Sequence, residues 1–145
     1  LRMKRFHGPM FWIFLVFLAN VFAMYFDIYH QLPWLDVPMH FFGGYTVALF
    51  AMSLYAWIGE RVEIRPKLRA KSKIAPLFLE GIFVIGFVMM ISVGWEIWEF
   101  LMDQFATAFV NRFGATQPGI ADTMDDLFND GVGAVTAWIL WRDRS

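Results

Sequence analysis

His40, Glu96, Glu99, Asp122, Asp126 and Asp130 are ionisable side chains able to bind a metal ion or move a proton. Glu96, Glu99 and Asp103 follow an i, i+3, i+7 spacing, which puts them on one face of a helix. Asp122, Asp126 and Asp130 follow i, i+4, i+8 and line one face of another, with Asn129 beside them. If the two faces oppose each other, five or six oxygen-bearing side chains converge, and His40 can point into the same space. Carboxylates with one imidazole suit a hard or borderline divalent cation. In that reading His40, Glu96, Glu99 and Asp126 are metal ligands. Asp122 or Asp130 is a further ligand or a general base, so these two are the candidate catalytic residues.

These acids sit where acids are costly. Nine of the thirteen acidic residues fall at the same ends of apolar segments: Asp27, Asp36, Glu96, Glu99, Asp103, Asp122, Asp125, Asp126 and Asp130. Arg112 is the one basic residue with them, beside His30 and His40. Carboxylates in or near lipid need a partner or a purpose. With so few protein cations, the partner is a metal ion, shared protons or a cationic substrate.

Transmembrane helices are expected to carry these side chains. The chain is 59% hydrophobic, against about 45–50% in soluble domains. Four apolar stretches, about 9–28, 39–58, 77–102 and 124–141, approach the roughly 20 residues a helix needs to cross a bilayer. No period-two alternation argues for a β-barrel. The expected fold is all-α: one domain over residues 1–145, an integral membrane bundle of four transmembrane helices with short loops. Residues 103–112 are expected to continue the third helix or to form an interfacial amphipathic piece. Residues 114–119, with Pro118, turn the chain back.

Eleven of the twelve Lys and Arg residues lie in the N-terminal tail, in the segment carrying Arg61, Arg65, Lys67, Arg69, Lys71 and Lys73, and in the C-terminal tail. Arg112 stands alone on the other side. The positive-inside rule puts both termini and the basic segment in the cytoplasm of a bacterial inner membrane. The acid cluster then faces the outer leaflet. The basic segment reads most simply as a topology determinant near anionic headgroups. The first apolar run could also be read as a signal peptide with Val21-Phe22-Ala23 at its cleavage site, but a retained helix is the preferred reading. The chain opens on Leu1, so it is expected to begin inside a longer gene product.

Plainer explanations apply to several acids. Asp122 could cap the fourth helix, and Asp125 and Asp126 gain from its dipole. Asp27 and Asp36 read as interfacial, and Asp103 as a solvated residue at the membrane edge. His40 could simply tie helices together through a carboxylate. Glu80 is the one acid expected to be buried at the opposite end, where it could snorkel or bind the basic segment. Trp95 and Trp98 are expected to face lipid or other helices. Gly44/Ala48, Ala19/Ala23 and Gly133/Ala137 have the small-xxx-small spacing that lets helices approach closely. There is no cysteine, which removes thiolate metal sites and disulfides. No groove-reading motif accompanies the basic residues, so no nucleic acid partner is expected.

Three blocks carry a family resemblance: Asp36-Val-Pro-Met-His40-Phe-Phe-Gly-Gly, Gly94-Trp-Glu96-Ile-Trp-Glu99-Phe, and Asp122-Thr-Met-Asp-Asp126-Leu-Phe-Asn-Asp130-Gly-Val-Gly133-Ala. Their order and spacing resemble the YjdF-like family of small bacterial inner-membrane proteins. A looser likeness links them to VanZ-like proteins of glycopeptide resistance, from which the chain departs at Glu99 and Asp130, where that pattern has Gln and Asn. The resemblance implies a multispan fold with a shared polar site, and no particular reaction.

The function expected first is a divalent-cation site acting on a lipid or lipid-linked envelope precursor within the bilayer. A proton- or cation-translocating protein is the alternative. Four short spans would then require a homo-oligomer, and the nearly acid-free inner half counts against it. A non-catalytic accessory subunit with a membrane-protein partner is the third reading.

Overall fold

The computed structural model describes residues 4–62, 74–110 and 119–142. Among them there are helices and no strands. They comprise α1 (Lys4–Tyr25), α2 (Ile28–Gln31), a 3-10 turn (Pro33–Leu35), α3 (Asp36–Val62), α4 (Ala75–Val110) and α5 (Ile120–Trp141). Arg65, Lys67, Arg69, Lys71 and Lys73 of the basic segment, Arg112, and the expected turn before Gly119 lie outside the described residues.

Among the described residues, three segments are long and apolar enough to cross a membrane: Arg5–Tyr25, Pro33–Val62 and Ala75–Phe105. Four were expected. The helix at the fourth position is present as α5 but does not meet the same standard, because Asp125, Asp126 and Asp130 dilute its apolar run. The third helix continues past Met102 through Val110, as the spacing beyond Asp103 predicted.

Helix α3 is central: α1, α4 and α5 all pack against it. α1 runs antiparallel to it, with Arg5 paired to Glu60 at 2.7 Å. α1 starts at Lys4 rather than at Pro9, so Pro9 lies inside the helix. Proline has no N–H for the carbonyl four residues back. Here that carbonyl belongs to Arg5, and the Ser53 hydroxyl donates to it at 3.4 Å.

α3 and α5 both start at the acid-rich end and run away from it side by side. Small residues set their separation. Ala48, Ala134 and Ala137 are fully buried, with Met52, Val84 and Val88 filling in around them. A Cβ on Gly44 would collide with the backbone of Asp130, and one on Gly133 with the backbone of Phe41. The expected small-residue seams at Gly44/Ala48 and Gly133/Ala137 are therefore the α3–α5 contact. The third seam is half absent: Ala23 is buried but Ala19 is exposed.

Glu80 is 2% exposed. It does not snorkel to the surface; it is enclosed where α4 begins. α1 by contrast exposes Phe11, Trp12, Phe14 and Phe22, as a helix facing lipid does.

Replacing Gly133 by Leu should push α5 off α3 at a cost of about 3 kcal/mol or more. Thermal unfolding in detergent, read beside Gly131→Leu, checks this. Gly131 would meet only the mobile end of Met89, so a Gly133→Leu protein no less stable than that control would show that the contact is not tight.

Candidate functional site

The site is built around His40, one turn into α3. α3 begins at Asp36, three residues before the expected start of its apolar run. Asp36 is thereby placed at i−4 to His40, on the same helix face. The expectation that Asp36 is merely interfacial misses this. The spacing of four between the two residues was the available signal.

Three carboxylates surround the imidazole. Nε2 is 3.6 Å from Asp36 Oδ1 and 3.6 Å from Asp126 Oδ1. Nδ1 is 3.4 Å from Asp130 Oδ2. The two Nε2 distances are too long for hydrogen bonds. They are close to the ~3.4 Å that separates two ligand atoms held about 2.1 Å from one tetrahedral ion. The Asp36, His40 and Asp126 ligand atoms all lie within 4.8 Å of one another. Asp130 stands on the other ring nitrogen. A carboxylate there fixes which nitrogen carries the proton and leaves Nε2 free to ligate, the usual support for a metal-bound histidine.

The remaining predicted residues gather nearby. Glu96 and Glu99 are 5% and 6% exposed, although they lie on a helix with a lipid-facing side. Glu99 is close enough to feel the charges of Glu96, His40 and Asp36. Asp126 likewise feels His40, Asp36, Asp122 and Glu96. The faces of the third and fourth apolar segments therefore do oppose each other across His40. Asp122 is half-buried at the mouth of the cluster, ahead of the apolar part of α5. Burial first, then the charges of Asp36 and Glu96, pushes its carboxyl up from the usual range. It is not the cap of α5. That position is held by Gly119 at φ 156 and ψ 178, a conformation reserved for glycine, with no side-chain cap. Asp125 is exposed, in keeping with a simple first-turn acid. Asp103 is partly exposed. Asp27 and His30 are both exposed and pair with each other at 3.3 Å.

Two aromatic residues join the site that were not expected in it. Trp95 does not simply face lipid: its indole N–H donates to Glu99 Oε1 at 2.9 Å, and Trp98 packs on it with ring centroids 4.8 Å apart. Tyr29, on α2, has a buried phenolic oxygen with no hydrogen-bond partner. Burial, then the charges of Asp36, Glu99 and Asp126, holds its ionisation above the usual range. It therefore stays a neutral O–H donor beside the carboxylates. No motif marked it, because α2 is too short to show periodicity.

Fold and site together describe a membrane-embedded helical protein with a buried histidine–carboxylate centre at one end of the bundle. The chain belongs to the family described as "Predicted membrane protein (DUF2238)", whose profile matches residues 2–144. This is the family of the YjdF-like resemblance. No support emerges for the looser VanZ likeness. An uncharacterized protein of Thermotoga maritima is 28% identical over 131 residues, covering 90% of this chain and 59% of that protein. The chain thus spans well under two thirds of that relative. No solved structure matches.

Two outcomes test this geometry. Asp130→Asn should weaken divalent-metal affinity by about 10- to 100-fold without abolishing it, whereas His40→Ala should abolish it. Equal losses in isothermal titration would contradict a supporting role for Asp130. The raised Asp122 carboxyl also fixes a sign. An acid whose folded pKa is raised binds protons more readily folded than unfolded, so it destabilises the fold above that pKa. In chelator, stability should therefore rise as pH falls through the window just above the usual carboxylate range. Loaded with metal, it should fall, because protons then displace the ion. Melting curves with and without chelator check this; parallel pH trends would refute it.

Proposed function

We propose that this protein is a multi-pass protein of the bacterial inner membrane, with α5 as its fourth crossing and both termini cytoplasmic. We infer that its outer-leaflet centre binds a divalent cation and uses it on a lipid or lipid-linked envelope precursor. Asp36, the Nε2 of His40 and Asp126 are the ligands nearest to a closed set. Glu96, Glu99 and Asp122 complete the coordination or hold water on the ion. The observation that carries this is the His40 environment, where both ring nitrogens face carboxylates and one of them is spaced as a ligand.

Electrostatics support the same reading. Asp36, Asp126 and Asp130 surround one imidazole, and Glu96, Glu99 and Asp122 stand near them. One imidazolium cannot neutralise six carboxylates in a medium where unpaired charge is expensive. A divalent ion bound to the then neutral imidazole supplies two charges, and shared protons the remainder. When bound, such an ion polarises a phosphoryl or carbonyl oxygen and acidifies water. Asp122 at the mouth, with its raised carboxyl, is suited to exchange a proton with that water. The Tyr29 hydroxyl is suited to donate to an oxygen that gains negative charge.

Elemental analysis of detergent-purified protein tests this. Wild type should carry a divalent metal in stoichiometric amount. Glu96→Ala and Asp126→Ala should lose it while still inserting in the membrane. Full metal retention in both variants would make the ligand assignment wrong. A metal-free wild type, after supplementation and gentle purification, would turn the reading toward a proton-sharing carboxylate cluster.

A further inference from the structure

A partly open cavity of about 170 Å³ adjoins the candidate centre, lined by α1, α3 and α4 and by Asp130 of α5, with His40 in its wall. Its lining is graded. α3 runs away from the acid-rich end while α1 and α4 run toward it, so low numbers on α3 and high numbers on α1 and α4 mark the outer end. The outer half has His40, Asp130, Asn20 and Ser92, and the inner half has Ile13, Val16, Val47 and Val88.

Asn20 and Ser92 lie on helices otherwise made for lipid, yet they are only 9% and 5% exposed. Neither makes a hydrogen bond among the described residues. Thr46, in the same wall, differs in donating its hydroxyl to the Phe42 carbonyl at 2.9 Å. Buried polar side chains ordinarily find a partner. Two that face one cavity without one point to a ligand with a polar group at that depth. Below it the walls are hydrocarbon apart from Thr46, whose hydroxyl is taken by its own helix, so the same ligand must continue as an apolar chain. An apolar cavity of about 150 Å³ has room for a benzene-sized group, so this one seats about six carbons, the part of a chain next to its polar linkage.

We propose that this cavity seats the ester-linked start of a glycerolipid acyl chain. The ester lies on Asn20 and Ser92, and the hydrocarbon runs inward between Val16, Val47 and Val88. This names the substrate class of the metal centre and rests on that reading for the role of the headgroup, which the seated ester holds beside His40 and Asp130.

The test uses wild-type protein in phosphatidylethanolamine/phosphatidylglycerol vesicles. They are doped with a phosphatidylethanolamine carrying a diazirine on an acyl carbon near the ester. After photolysis, adducts should map to Val47, Val88 and Ser92, whose side chains turn away from bulk lipid. Val16→Trp, which fills the inner half, should cut those adducts roughly tenfold, the mark of about 1.4 kcal/mol of lost affinity. Asn20→Leu, which keeps the volume and removes the amide, should also reduce them. Should Val16→Trp fold poorly, Ile91→Trp on the cavity's rim serves in its place. Adducts confined to outward-facing Phe14, Leu18 and Ile97 would overturn the proposal, as would cavity adducts unchanged by these substitutions. Palmitic acid competing as well as phospholipid would overturn the glycerolipid assignment in favour of the free acid. Metal content is measured on the same samples. An ion retained without cavity adducts sinks the chain pocket alone. Cavity adducts without an ion sink the metal reading and leave the pocket standing.

Discussion

The backbone contact between α3 and α5 at Gly44 and Gly133 is the constraint on which the rest depends. Neither position has room for a Cβ. The contact fixes the register of the two helices as well as their distance, because Gly44 faces Asp130 and Gly133 faces Phe41. With that register set, Asp126 and Asp130 reach the two nitrogens of His40. A slip of one residue would rotate α5 by about 100° and turn both acids away from the imidazole. Dispersion between close backbones, rather than a hydrophobic drive, holds helices together in lipid. The same contact therefore provides both association and the site.

Around that contact the two ends of the bundle differ in character. At one end, carboxylates outnumber the imidazole they enclose, and the balance must come from ions or protons. At the other, Arg5 and Glu60 form an ordinary exposed pair at 2.7 Å, and Arg142 sits over the Trp138 ring at 5.5 Å. Among the described residues, these two arginines at the second end have partners within the protein.

Much of this was legible in the sequence because its signals are periodic. The spacings of Glu96 with Glu99, and of Asp122, Asp126 and Asp130, predicted the faces that meet, and the small-residue pairs predicted the seam between α3 and α5. The misses lie where periodicity is silent. Asp36 looked interfacial because the apolar run was taken to begin at Met39, while the helix itself begins three residues earlier. Tyr29 sits on a single helical turn. Trp95 was legible as a membrane residue, but its hydrogen bond to Glu99 depends on rotamers that no spacing reports. The cavity beside His40 is lined by four helices at once, and Asn20 and Ser92 gain meaning only when those helices are seen together.

The parallel course of α3 and α5 has a consequence for how the protein is made. His40, Glu96 and Glu99 leave the ribosome before the aspartates of α5. α5 is itself a poor candidate for independent membrane entry, since Asp122, Asp125, Asp126 and Asp130 crowd its leading half. It packs along the small-residue groove of Gly44 and Ala48, where its acids meet His40. Synthesis order and site completion are then one event. A chain stopped before Gly119 would have His40 without Asp126 and Asp130, two of the three carboxylates around its ring.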